Sequence, residues 1–253
     1  MEVHQHSHTA RKKWTHYLWE FLMLFLAITL GFFVENKREH ILENKRAKEY
    51  AKALVSDLIA DTTELGKDLY GLSQTLAFSD TLEMELLKKL AGTGISGARL
   101  YYYTFFAPGK FQFGVKTATL SQLKNSGSLR YFRNFEIIRL INEYDQAILT
   151  QIGRSEIDLS SFTMWREARE PLFNFYHLKK LQQLLADRPQ SHDSILNIDL
   201  PLMDNSPGAI NKIAHALSER KLNLQRRQNE YYRDPYNIAR KLVDVLKKEY
   251  HLK

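Results

Sequence analysis

YLWEFLMLFLAITLGFFV, residues 17–34, decides how this chain is to be read. Only Glu20 and Thr29 interrupt a run that is otherwise apolar or aromatic. Wound as an α-helix it reaches roughly 27 Å at about 1.5 Å per residue, close to the ~30 Å hydrocarbon core of a bilayer. Arg11, Lys12 and Lys13 precede it; Glu35, Lys37, Arg38 and Glu39 follow. Trp14, Tyr17 and Trp19 gather at one end and Phe32 and Phe33 at the other, as aromatic side chains do at membrane interfaces. A soluble helix is apolar along one stripe, not all round. The pattern predicts a transmembrane helix over 17–34 behind a short basic tail over 1–16. The run exceeds the about 7–15 apolar residues of a cleavable signal peptide and lacks a small-x-small pair at its end, so an uncleaved signal-anchor is expected.

On a helical wheel at 100° per residue, His16, Leu24, Ala27, Gly31 and Val34 fall within about 40° of the Glu20 direction. One face thus carries the acid together with Ala27 and Gly31, whose four-residue spacing lets two membrane helices approach closely. A carboxylate at the bilayer centre costs on the order of 2.5–3.5 kcal/mol. Glu20, only three residues inside the run, either reaches the headgroups or faces a partner helix, and His16 one turn earlier could pair with it. Thr29 lies opposite and is expected to bond its own backbone.

Orientation is contested within the sequence. Three basic residues precede the span, whereas Lys37, Arg38, Lys45, Arg46 and Lys48 follow it. The second group alternates with Glu35, Glu39, Glu43 and Glu49, and long domains translocate largely regardless of charge. The compact N-terminal triad therefore favours an N-in, C-out topology in the inner membrane, with a periplasmic domain.

Beyond residue 35 the pattern is all-α: a long amphipathic helix and then an extramembrane helical domain over 35–253. Glu35/Arg38, Glu43/Arg46 and Glu49/Lys52 suit a solvated helix face. Leu54, Leu58, Leu65, Leu69, Leu72 and Leu76 recur at near-heptad spacing, a seam for neighbouring helices or for a parallel coiled-coil partner. Ser79, Asp80 and Glu83 offer a new cap, or the helix runs on to Leu90; Gly92 and Gly94 end it either way. Tyr101–Phe106 reads as core packing in a short helix, as half of a β-hairpin (99–106 with 110–116 around Pro108-Gly109), or as a stacking platform. A short helix over 119–125 ends at Gly127. Asn134 should cap a helix to about Gly153 that buries Ile137, Ile138, Ile141, Tyr144 and Ile148. A further helix spans about 156–185, started anew or kinked at Pro171. Residues 187–207, with Pro189, Pro201 and Pro207, are the linker candidate. Asn205 with Pro207 resembles a helix start, opening a terminal helix interrupted or kinked near Asp234-Pro235, with Ile238, Leu242, Val245 and Leu246 on one side.

Two blocks carry a resemblance. Lys12–Glu39, with its Trp-Glu-Phe-Leu and Gly-Phe-Phe-Val-Glu-Asn-Lys-Arg-Glu runs, and Leu120–Arg130 with Asn134 and Tyr144, resemble a family of single-span Gram-negative envelope proteins known only as a domain of unknown function. The resemblance implies a single-span topology and an all-helical exterior. It gives interest, though no role, to Gln122, Lys124, Ser126, Gly127 and Arg130.

Chemistry is sparse. There is no cysteine, which excludes disulfides, thiolate catalysis and Cys-ligated zinc. His4, His6 and His8 alternate in a polar tail, no HExxH occurs, and Gly92-x-Gly94-x-x-Gly97 follows a helix instead of a strand, so it is not a dinucleotide fingerprint. No G-x-S-x-G elbow occurs. Glu83/Glu85 and Glu167/Glu170 read as solvated faces, and Ser126-Gly127 beside Lys124 as a helix end rather than a Ser/Lys site. The net charge of +7 concentrates between Arg220 and Lys248 without a nucleic-acid motif, pointing to anionic lipid, glycan or an acidic partner. The expectation is a non-catalytic interaction, scaffold or sensor protein with no cofactor or metal, with the bilayer and either a second copy or an envelope protein as partners. The competing expectation is a complex subunit in which Glu20 contributes to a proton or ion pathway.

Overall fold

The computed structural model describes residues 14–94, 96–106, 114–187 and 192–252 and is helical throughout, with no strand among them. The helices are α1 (Trp14–Leu90), α2 (Gly97–Phe106), α3 (Ala118–Asn125), α4 (Phe135–Gly153), α5 (Ser155–Arg169), α6 (Phe175–Asp187), α7 (His192–Leu196), α8 (Pro207–Arg226) and α9 (Arg233–Tyr250). Compactness divides the chain at Tyr50/Ala51, so α1 belongs to both units.

In the first unit nothing among the described residues buries the apolar run of α1. An 18-residue window there has a mean hydropathy of 2.0, none of it is covered by protein, and this is one helix long and apolar enough to cross a membrane. Thr29 donates its hydroxyl to the Phe25 carbonyl (2.7 Å), as expected for a threonine in an apolar helix. After the run, Arg38 pairs with Glu35.

In the second unit the leucine seam turns inward. Leu54, Leu58, Leu65, Leu72, Leu82 and Leu86 are all essentially inaccessible. Leu65 and Leu72 meet Leu224 and Tyr232, with Leu69 and Leu76 at the margin. Leu82 and Leu86 join Leu100, Trp165, Leu172, Ile210, Ile213 and Leu217. The near-heptad repeat thus serves neighbouring helices of the same chain. Ser79 does not open a new helix: its buried hydroxyl donates to the Thr75 carbonyl (2.8 Å), and α1 runs on to Leu90.

α4 packs on α9 and α5 on α8. Asn134 caps α4, its side chain accepting the Glu136 N–H (2.9 Å). The buried face of α4 is Ile137, Leu140, Ile141, Tyr144 and Ile148; Ile138 is only half-buried, displaced by Leu140. The cap of α8 is Ser206 instead of Asn205, its hydroxyl accepting the Ala209 N–H with Pro207 in the first turn. Pro235 does not stop the terminal helix. It lacks the N–H that would reach Tyr231, and the turn before it, Arg227–Tyr232, widens to π geometry, which absorbs the mismatch.

One alternative falls here and one expectation changes. Tyr101–Phe106 is helical, so the hairpin does not form; its partner residues 110–113 lie outside the described segments. The stretch 187–207 does not separate two bodies. Its Ile195 and Leu200 bury with Ala98, Tyr101 and Leu181, because the apolar residues among its Asp, Asn and Pro are spaced to reach α2 and α6.

Gly97 makes that junction possible. A Cβ there would lie 1.6 Å from the Leu200 carbonyl oxygen and 2.7 Å from its carbon, both backbone atoms that Ser96 Oγ and Ala98 N–H help hold by bonding Ile198 O (2.6 and 3.3 Å). Gly97→Ala should therefore cost at least about 1–3 kcal/mol, the range of core overpacking. Chemical denaturation would show it, and an unchanged midpoint would contradict the close approach.

Candidate functional site

The residues singled out by sequence fall in separate places. Glu20, Ala27 and Gly31 lie on exposed helix surface, and a Cβ added at Gly31 would meet nothing within 4 Å. Glu20 Oε1 is 3.1 Å from His16 Nε2, one turn earlier.

The Gln122–Arg130 block is a helix end. Lys124 Nζ bonds Asp145 Oδ2 (2.5 Å), fastening α3 to α4. Ser126 donates to the Gln122 carbonyl and shares a 2.6 Å contact with Ser128 Oγ. Gly127 has φ 66°, a left-handed turn that costs other L-residues roughly 1–2 kcal/mol. Arg130 lies over the Tyr131 ring at 5.3 Å. The lysine and serine are each committed to a structural partner, so the block positions α3. The neighbouring Tyr144 is more telling.

Tyr144 and Asp61 form a buried pair between α4 and α1. The phenol donates to Asp61 Oδ2 (2.7 Å), and the Lys116 backbone N–H donates to Oδ1 (2.9 Å). Asp61 is 1% exposed. Burial pushes its carboxyl above the ordinary aspartate value, against the pull of the two hydrogen bonds, and nearby Asp57 raises it further. Burial and Asp61 both push the Tyr144 phenol upward, so this hydroxyl stays protonated and acts as a donor.

A second polar centre joins α5, α8 and the π turn. Arg220 is fully buried and donates to Asp158 Oδ1 (2.5 Å), the Asp158 carbonyl (3.2 Å) and Ser161 Oγ (2.8 Å). Arg227 meets the other oxygen of Asp158 (2.8 Å) and donates to the Tyr232 hydroxyl (2.7 Å). Burial lowers the Arg220 pKa from its ordinary value and Asp158 opposes that shift. The wide turn at 227–232 lets both guanidiniums face one carboxylate. Beside them Gln151, Arg154, Asp158, Arg226 and Arg227 border a recess of about 60 Å³, too small for an organic substrate.

No known family, curated protein or solved structure matches the chain.

Among the described residues no group of three or more His, Asp or Glu side chains is arranged to hold a metal; His4, His6 and His8 lie outside them. The basic excess is partly internal: Lys221 bridges to Asp80 (2.6 Å) and Glu83 (2.5 Å), and Lys241 to Glu136 (3.2 Å). Glu85 is not on a solvated face. Its side chain is 3% exposed, held by Lys88 (3.2 Å) and Arg99 (3.7 Å), because α2 folds back over that turn of α1. Sequence reading missed Asp61 and Asp158 and took Arg220, which is buried, as part of the outward basic excess. The available signal was a charged residue on an otherwise apolar helix face, which alternating charge on these helices obscures.

Two outcomes follow. Asp158→Asn leaves two guanidiniums without a counter-charge and should cost about 3–5 kcal/mol, whereas Arg220→Met should cost less, because Asp158 keeps Arg227; urea unfolding of the two variants orders them. At Asp61 the raised carboxyl stabilises the fold in acid and loses that contribution as pH rises above the ordinary value of 3.8. Wild type should thus lose stability relative to Asp61→Asn as pH climbs, and converge with it toward acid. A pH-independent difference would show that the hydrogen bonds cancel the desolvation, and a difference of opposite slope that they outweigh it.

Proposed function

We propose that this is a single-pass inner-membrane protein that presents a helical domain to the periplasm and acts by interaction, as scaffold or sensor, without catalysis. The observation that carries the reading is the bare apolar surface of residues 17–34. Trp19, Phe21, Leu24, Phe25, Phe32 and Phe33 are all more than half exposed. An uncovered stripe of that size in water would drive aggregation; lipid removes the penalty and satisfies the length at once. The basic triad before the span supports N-in topology, and the resemblance of residues 12–39 and 120–130 to the single-span envelope family supports the same assignment.

Self-association through the Glu20 face accompanies this reading. Ala27 and Gly31 leave room for a second helix, and the open space around Gly31 supports close approach. An ion route through Glu20 has less behind it. The His16 contact sits near the end of the apolar run, within reach of water and headgroups.

The protein should remain with membranes after alkaline extraction and be digested by protease added to spheroplasts but not to intact cells. In lipid, Gly31→Leu should reduce the oligomer fraction and Glu20→Gln should alter it. Recovery in the soluble fraction would overturn the anchor; protease resistance in spheroplasts would reverse the orientation; an unchanged oligomer distribution in both variants would remove the helix interface.

A further inference from the structure

Thr104 departs from the habit of this chain. Several helical hydroxyls return to the backbone three or four residues earlier: Thr29 to Phe25, Thr63 to Ile59, Thr150 to Gln146, Ser161 to Asp158. Thr104, inside α2, is 3% exposed, yet its Oγ1 has no hydrogen-bond partner. A buried hydroxyl left unpaired costs about 1–3 kcal/mol, so the atom calls for an explanation.

That side chain borders a cavity of about 300 Å³ between α2, the α5 end and α6, at the lower limit of the roughly 300–1,000 Å³ found for small-molecule sites. Tyr101, Phe105, Phe173 and Phe175 supply aromatic wall. The wall is firm at its base. The Tyr101 phenol accepts the Asn174 N–H (2.9 Å) and donates to the Pro201 carbonyl (3.1 Å), and its ring meets Phe173 edge-on at 4.7 Å.

Among the described residues one cation lines the cavity. Arg169 is half-buried, lines it, and makes no hydrogen bond or ion pair among the described residues. Burial holds its guanidinium below the ordinary arginine range, partly offset by the charge of neighbouring Glu170. That carboxylate also borders the cavity but is exposed and turned toward Arg166 (3.8 Å). A guanidinium stays charged in proteins, so its partial desolvation is a cost that the Glu170 charge offsets only in part.

We propose that this cavity binds a small aromatic carboxylate, its ring among the aromatic side chains and its carboxylate on Arg169 with Thr104 as second donor. A guanidinium and a hydroxyl are complementary to a carboxylate, and among the described residues neither side chain has a hydrogen-bond partner. Four ring walls favour a flat aromatic body, which gains edge-to-face contacts that an acyl chain does not. The cavity size suits one or two rings. The site lies within residues 101–178 and does not depend on the membrane assignment.

The full chain in lipid nanodiscs would be titrated calorimetrically with 1-naphthoate and with neutral 1-naphthalenemethanol, against empty nanodiscs. The acid should bind, and the alcohol at least about tenfold more weakly, as loss of a charge-assisted bond requires. Arg169→Met should abolish the preference for the acid. Thr104→Val should weaken acid binding while leaving the melting temperature equal or higher, since its hydroxyl has no partner to lose; this variant carries the test should Arg169→Met fail to fold. Naphthoate heats matching empty nanodiscs, equal binding of acid and alcohol by wild type, or a preference surviving both substitutions would overturn the proposal. Displacement of naphthoate by lower concentrations of oleate would overturn the aromatic assignment in favour of an acyl chain.

Discussion

The second unit depends on one row of leucines. From Leu54 to Leu86, α1 offers side chains at near-heptad spacing that are inaccessible to water, each worth about 1.5–3 kcal/mol on full burial. α8 and the π turn cover the middle of that row through Leu224 and Tyr232, while α2, α5 and α8 cover its end through Leu100, Trp165 and Leu217. Hydrophobic burial is non-directional, so the row accounts for association but not for the rotation and height of each helix. Those are set by the polar groups trapped against it.

Asp61 and Asp158 act in that second capacity. Asp61 fixes the Tyr144 turn of α4 to one level of α1 and captures the Lys116 N–H, while Asp158 brings Arg220 of α8 and Arg227 of the π turn to α5. Each is costly to desolvate, which the upward shift at Asp61 records. A one-residue slip of either helix would strand a buried charge, a penalty of several kcal/mol. Leucines supply the driving force; two aspartates supply the register. The π turn belongs to the same logic, because Pro235 demands a local widening and the widening aims Arg227 at Asp158.

What could be read in the sequence follows from this division of labour. The apolar run, the leucine repeat, the Asn134 cap and the Gly127 turn are local or periodic signals, and each appears where its spacing places it. The Ser206 cap was displaced by one residue because Asn205 and Ser206 are both competent cap residues. Residues 187–207 looked like a linker because composition averages over Ile195 and Leu200, whose burial depends on α2 and α6. Glu85 looked solvated because its partner Arg99 lies beyond a turn. Asp61–Tyr144 and Asp158–Arg220 link residues 83 and 62 apart in sequence, and no periodicity encodes such a meeting.

The same reasoning separates the two kinds of candidate site. Lys124 and Ser126 drew attention as a compact motif, but every polar atom there that has a local partner spends it on holding α3. Thr104 and Arg169 drew none, lying 65 residues apart in an aromatic run and a charged helix. Thr104 holds a buried hydroxyl without a hydrogen-bond partner, and Arg169 is a half-buried guanidinium at the same cavity. A folded chain normally satisfies its buried polar atoms, so unmet need beside a cavity is a stronger pointer to a ligand than a dense motif is. By that measure the bare apolar face of residues 17–34 and the Thr104–Arg169 cavity are alike. Each is a surface that the described residues leave without a complement, which on the proposals above is lipid in the first case and a small anion with an apolar body in the second.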